Sequence, residues 1–178
     1  MKKITIKQKS VIIPFCEGEA EINLFGFLKS EYSSKAVVFK KPINLYGFNN
    51  LDTFKRKYFK CCKAQNLKPK KDFLSVQFLF IFDNDLADSE KIKEFLEQEK
   101  CYVQQCDPNV EGLILGMVGK KIGPNLKTED FRKNCKDKFQ KYFGCEAHRL
   151  KDKKLQEIFM SEKDFVDNFP TLHVLFKN

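Results

Sequence analysis

The sequence predicts an α/β fold, a Rossmann-like central parallel sheet of about four strands flanked by helices, with a helical C-terminal extension. Three observations carry that reading. Short apolar runs bounded by turn residues alternate with stretches whose apolar residues recur every three or four positions. The most apolar run, Phe78-Leu79-Phe80-Ile81-Phe82, has no polar side, which suits a strand covered on both faces. The last third carries mainly helical spacing. At 178 residues the chain has the length of one domain, read as a sheet core over about 11–119 and a helical extension over about 120–178.

Val11-Ile12-Ile13-Pro14-Phe15-Cys16 is the first strand, closed by the turn Glu17-Gly18-Glu19. Ala20 to Glu31 follows as a helix, because Ile22, Leu24, Phe25, Phe27 and Leu28 keep one side apolar. Ala36-Val37-Val38-Phe39 is a second strand, and Asn50 to Cys62 a second helix with Leu51, Phe54, Tyr58 and Cys62 on one stripe. Leu67 to Asp72 is a polar loop, and Phe73 to Phe82 the central strand, ending at Asp83-Asn84-Asp85. Ser89 is a candidate cap for a helix striped by Ile92, Phe95 and Leu96, and Cys101-Tyr102-Val103 begins a fourth strand. Asp107-Pro108 supplies a cap and a first-turn proline for a helix over Val110 to Val118. Thr128 opens a helix that carries Phe131, Cys135, Phe139 and Tyr142 on one side, Ser161 caps a shorter one, and Leu172 to Phe176 reads equally as a strand or a packing helix.

Composition narrows the function classes. Apolar residues at 42% and aromatics at 13% suffice for a packed core, which excludes disordered and collagen-like chains. No apolar run reaches the roughly 18 residues that span a bilayer, and the lysine-rich start lacks the apolar core of a signal peptide, so a cytoplasmic protein without a membrane partner is expected. The 33 basic residues outnumber 24 acidic ones, giving a formal charge of +9 that favours polyanionic partners such as nucleic acid, although lysines spread along the whole chain also describe an ordinary soluble surface. The seven cysteines show no two-residue-spaced pair, and Cys145-Glu146-Ala147-His148 has no matching second half, so packed thiols are expected in place of a zinc knuckle.

Ligands of open parallel sheets bind beyond the carboxyl ends of the strands, and both acidic clusters of the sequence sit there. Glu17, Glu19 and Glu21 follow the first strand; Asp83, Asp85 and Asp88 follow the central one. Residues two apart in an extended segment point the same way, so Asp83 and Asp85 are expected to offer oxygens to one site. Magnesium suits such a site, since it takes one or two carboxylates, keeps several waters and draws its other oxygens from phosphates. The same acids also suit simple helix-dipole and turn roles.

At these residues the chain resembles the Toprim domain of topoisomerases, bacterial primases and old-family nucleases, and within that group the RloB-like proteins of phage-defence loci. The likeness spans about Val11 to Tyr142 and rests on Cys16-Glu17-Gly18-Glu19-Ala20-Glu21, on Phe82-Asp83-Asn84-Asp85, and partly on Asp107-Pro108-Asn109-Val110-Glu111, where Val110 stands in place of the family aromatic and Gly112-Leu113 lacks the family tryptophan. The resemblance implies that Glu17 is a general acid/base or metal ligand, that Asp83 and Asp85 are metal ligands, that Glu21 is a ligand of a second site, and that Glu111 is a further site candidate. Lys120 and Lys121 follow that third motif and suit phosphate contacts or the balancing of a helix C-terminus.

The expected function is therefore metal-dependent cleavage of a phosphodiester in RNA, with transfer RNA one option, or in DNA, using Mg²⁺ or Mn²⁺, in an anti-phage role that the resemblance implies. The alternative is a non-catalytic Toprim scaffold that binds nucleic acid or an ATPase partner. An aspartyl-nucleophile phosphotransferase also uses Asp-x-Asp after an apolar strand, but that strand usually comes first, whereas here an acidic turn precedes it by about sixty residues.

Overall fold

The computed structural model describes residues 11–34, 37–67, 76–120, 122–123, 128–159 and 162–177. It is an α/β structure built on a five-stranded, wholly parallel sheet. Strand β1 (Val11–Cys16) lies inside, paired on one side with β4 (Val76–Asp83), which in turn pairs with β5 (Tyr102–Cys106). On its other side β1 pairs with two fragments, β2 (Val38–Phe39) near its start and β3 (Ile43–Asn44) near its end. The expected second strand is thus a broken edge, with Lys40, Lys41 and Pro42 between its two halves.

Eight helices occur among the described residues: α1 (Glu19–Tyr32), α2 (Leu51–Ala64), α3 (Ser89–Gln98), α4 (Val110–Met117), α5 (Glu129–Phe143), α6 (Asp152–Ile158), α7 (Glu162–Asn168) and α8 (Pro170–Lys177), with a 3-10 turn at Ala147–Arg149. Strand alternation sorts the core into two layers. Ile12 and Cys16 of β1 and Leu79 and Ile81 of β4 face α1, α4, α5 and the C-terminal helices; Ile13 and Phe15 with Phe78, Phe80 and Phe82 face α2 and α3. On the first face the strands supply small and aliphatic groups and the helices supply phenylalanines, among them Phe25, Phe139, Phe165 and Phe176. The C-terminal helices therefore complete the sheet's own core, and Leu172 to Phe176 is a helix that packs Phe176 against Phe25 and Phe39.

Several element ends differ from expectation for local reasons. Ser89 lies inside α3, and its hydroxyl donates to Asn84 Oδ1 at 3.3 Å while Asp88 holds the cap position. Asn109, not Asp107, caps α4 by accepting the Gly112 N–H at 2.7 Å, and Pro108 precedes the helix across a cis peptide bond. Thr128 caps α5 as expected, accepting from the Phe131 N–H. Ala36, Lys68 to Ser75, Lys121 and Ser161 lie outside the described residues.

The order of strands positions the site. From β1 the chain first builds β2 and β3 on one flank, then crosses to β4 on the other. Where the winding direction reverses, the loops after β1 and β4 part and leave a crevice at their carboxyl ends.

The aromatic layer over β4 packs against α2 and α3, on the sheet face away from α1 and α5. Phe80 stacks on Phe15 with 4.8 Å between centroids and meets Tyr58 and Phe54 edge-on at 5.3 and 5.7 Å. Phe80→Ala is expected to cost about 3–5 kcal/mol in urea unfolding, whereas Phe59→Ala, at a ring 52% exposed on α2, costs under about 1 kcal/mol; equal costs would show that the layer carries no special weight.

Candidate functional site

The crevice is a pocket of about 310 Å³ whose wall includes Glu17, Glu19, Glu21, Asp83 and Glu111. Each acid arrives by a separate piece of backbone logic. Glu17 still belongs to the sheet, since its N–H donates to Ile81 O at 3.0 Å, and its Oε2 accepts the Asp83 N–H at 3.1 Å across the β1–β4 gap. Gly18 takes the N-cap position of α1 without a side chain to cap it, so the Glu21 carboxylate folds back and accepts the Gly18 N–H at 2.7 Å. Asp83 ends β4, and its Oδ1 accepts the Val110 N–H at the start of α4, at 3.1 Å. Glu111 sits in the first turn of α4, and Glu19 is held at the rim by the Asn44 side-chain amide.

Helix capping accounts for part of this arrangement and not for the rest. Two helix N-termini contribute together about +1 charge, and Lys136 adds one cation at the rim. Glu17, Glu21, Asp83 and Glu111 contribute −4 if all are ionised. Burial and mutual repulsion answer that surplus by holding protons on the cluster. Burial, then the charge of Glu21, pushes the Glu17 carboxyl up to about 8. Burial likewise lifts Glu21 to about 7, the N–H donors of its own residue and Gly18 opposing and Glu111 adding to the rise. Asp83 lies well above the usual carboxylate range through burial and the charges of Glu21, Glu17 and Glu111, despite its hydrogen bond from Val110. Glu111 is raised by burial, with Lys136 opposing.

Asp85 stands apart. The strand ends at Asp83 and the chain turns at Asn84 and Asp85, so the alternation that would have aimed both aspartates at one site stops one residue too soon. Asp85 is fully buried beneath the pocket; its Oδ2 accepts from Asn109 Nδ2 at 2.6 Å and its Oδ1 lies 3.3 Å from Arg132 Nε, while its carbonyl accepts from Arg132 Nη2. Asp85, expected as a metal ligand beside Asp83, is thus not brought into the pocket wall with it; it holds α5 and the cap of α4 in place. Lys120 is also elsewhere, over the ring of Tyr142 at 4.7 Å, and Lys121 lies outside the described residues.

Sequence reasoning missed the rim. Lys136 and Gln140 border the pocket from α5, where isolated polar residues look like any solvated face, and Glu146 and His148, weighed only as half of a zinc knuckle, border it from the 3-10 turn. His148 Nδ1 lies 3.6 Å from Glu146, and its Nε2 accepts from Arg149. Tyr46, next to the wall residue Gly47, is 79% exposed at φ +57°, a conformation held by Asn44 Oδ1 accepting its N–H and Lys57 donating to its carbonyl.

No three His, Cys, Asp or Glu side chains among the described residues close on one point as a ready-made metal cage. A protein cage of that kind is what structural zinc requires; magnesium needs only one or two carboxylates and brings water. A pocket of hard oxygen donors that would carry surplus negative charge once ionised fits that second class. All seven cysteines are free; Cys16, Cys62, Cys106 and Cys135 are buried, and Cys61, Cys101 and Cys145 are half-buried. No protein-family model, curated protein or solved structure matches the chain.

The proton-loaded cluster makes a signed prediction. Carboxyls raised above their unfolded values bind extra protons in the folded state, so stability is greatest below about pH 4.5 for these groups and is lost as pH rises through about 7 to 8. In EDTA, the melting temperature is expected to fall between about pH 5 and 8.5, and Asp83→Asn or Glu21→Gln to raise it by about 2–6 °C at the alkaline end. Asp85→Ala, which strands Arg132, is expected to lower it by more than about 5 °C. A rise for Asp85→Ala or a fall for both isosteric variants would reverse the assignment of clamp and cluster.

Proposed function

We propose that the chain is a divalent-metal-dependent nuclease that hydrolyses a phosphodiester of RNA or DNA. The observation that supports this reading best is the convergence of Glu17, Glu21, Asp83 and Glu111 on one crevice at the β1–β4 switch point, with more negative charge than the local helix ends and Lys136 balance. A Toprim-type fold is part of the same proposal, since the Glu17-to-Glu21 turn follows β1 and the Asp83 turn follows its neighbour β4.

Glu17, Glu21 and Asp83 would hold Mg²⁺ or Mn²⁺, with Glu111 at the margin. When bound, the ion supplies Lewis-acid polarisation of the phosphoryl oxygens and a lowered pKa for an attacking water. The protein's own part is positioning and proton transfer. Asp83 and Glu17 are fixed to each other by the Asp83 N–H bond, so their carboxyls keep a set spacing across the gap. Glu17 can accept the proton of the attacking water as the new P–O bond forms, and the sugar oxygen takes its proton from solvent as the old P–O bond breaks. Asp85, through Asn109 and Arg132, keeps α4 and α5 at the depth that presents Glu111 and Lys136 to the pocket.

Labelled RNA and DNA incubated with Mg²⁺ or Mn²⁺ are expected to be cut, cleavage to vanish with EDTA, and Glu17→Gln and Asp83→Asn each to lower the rate by about 100-fold or more. Cleavage that survives both substitutions, or none under any metal, would contradict the enzyme; retained binding without cleavage would instead favour a nucleic-acid scaffold.

A further inference from the structure

The α5 and 3-10 segment that walls the acidic pocket has a second side. Lys136, Phe139 and Gln140 of α5 face the pocket, and Tyr142 and Phe143, less than a turn later, face a separate cleft of about 590 Å³. The chain then alternates in the same manner: Glu146, Ala147 and His148 border the pocket, while Cys145, Arg149, Leu150 and Lys151 border the cleft. One ridge thus separates two hollows of opposite charge.

The cleft is basic and aromatic. Arg149, Lys151 and Lys154 line it and no carboxylate does; outside the lining, Glu146 lies 4.0 Å from Arg149 and Glu157 lies 2.7 Å from Lys154. Tyr142 is 48% exposed, and Lys120 Nζ lies 4.7 Å from its centroid. Phe143 meets the same ring edge-on at 4.8 Å and fixes its orientation. Four cations around a presented ring match a ligand that combines regularly spaced negative charge with flat faces. An acidic peptide offers the charge without the faces, and duplex nucleic acid hides its faces in the stack.

We propose that this cleft binds a single-stranded stretch of nucleic acid, with one base stacked on Tyr142 and the flanking phosphates on Lys120, Arg149 and Lys151. The base takes the place of the Lys120 ammonium over the ring, and that ammonium moves to a phosphate. The strand then passes over the ridge at Glu146 to His148 towards the carboxylates. The proposal rests on the phosphodiester reading of the acidic pocket for its direction of travel, and binding itself needs no metal.

The test is fluorescence anisotropy in EDTA with labelled oligo-dT and oligo-rU of about twelve nucleotides, a duplex of the same length, and polyglutamate as competitor. The intact chain is expected to prefer the single strands, Tyr142→Ala to weaken them about 5- to 150-fold, and Tyr142→Phe to stay within about twofold. Lys151→Gln is expected to reduce the slope of log affinity against log salt by about 0.7. Retained binding by Asp83→Asn and by Glu17→Gln separates this site from catalysis: absence of cleavage by the intact chain with Tyr142-dependent binding present sinks only the nuclease, and cleavage with unchanged affinity in Tyr142→Ala sinks only the cleft. Equal affinity for duplex, or displacement by polyglutamate as effective as by oligo-dT, would overturn the stacking site in favour of a general polyanion surface.

Discussion

Carboxyl groups forced together out of water are the constraint around which this molecule is arranged. Glu17, Glu21, Asp83 and Glu111 meet where the sheet changes winding direction, and burial plus repulsion raises all four above their ordinary range. Such a cluster persists only because the rest of the fold over-determines it. Glu17 and Asp83 are tied through the β1–β4 gap, Glu21 is bound to the start of α1, and the two core layers on either side of the sheet leave the loops little room to spread.

The supporting parts divide cleanly from the clustered carboxyls. Asp85 is a charged residue at the bottom of the site, yet its oxygens are committed to Asn109 and Arg132, so its role is to fix the entry into α4 and the angle of α5. Gly112 belongs to the same brace: a methyl group there would meet Pro108 at 2.8 Å and Asn109 Oδ1 at 3.0 Å, and the first turn of α4 closes only because none is present. Stability held in this brace and in the aromatic layer offsets what the carboxylate cluster costs, the usual relation between a strained site and its scaffold.

The sheet core was legible because burial on both faces writes itself into the sequence: Phe78 to Phe82 alternates between two packed layers and so shows no polar residue. The helices after β1 and β4, and the acidic turns at their entry, followed from the same periodicity. The broken edge was not legible, since β2 and β3 have two residues each and no period to detect. Asp85 was misplaced for the opposite reason, an alternation carried past the end of the strand that justified it. Lys136 and Gln140 carry no local signal, and only the return of α5 to the sheet brings them to the pocket.

Proton release on metal binding addresses the cluster most directly, because an ion that enters a protonated carboxyl site must expel what it replaces. Calorimetric titration of Mn²⁺ into the protein at about pH 7, in two buffers of different ionisation enthalpy, is expected to show binding with release of at least about one proton, a release that shrinks as pH rises past about 8 and disappears with the binding in Asp83→Ala. Absence of binding in the intact protein, or binding that expels no proton and is indifferent to Asp83→Ala, would contradict the assignment of this crevice as a metal site.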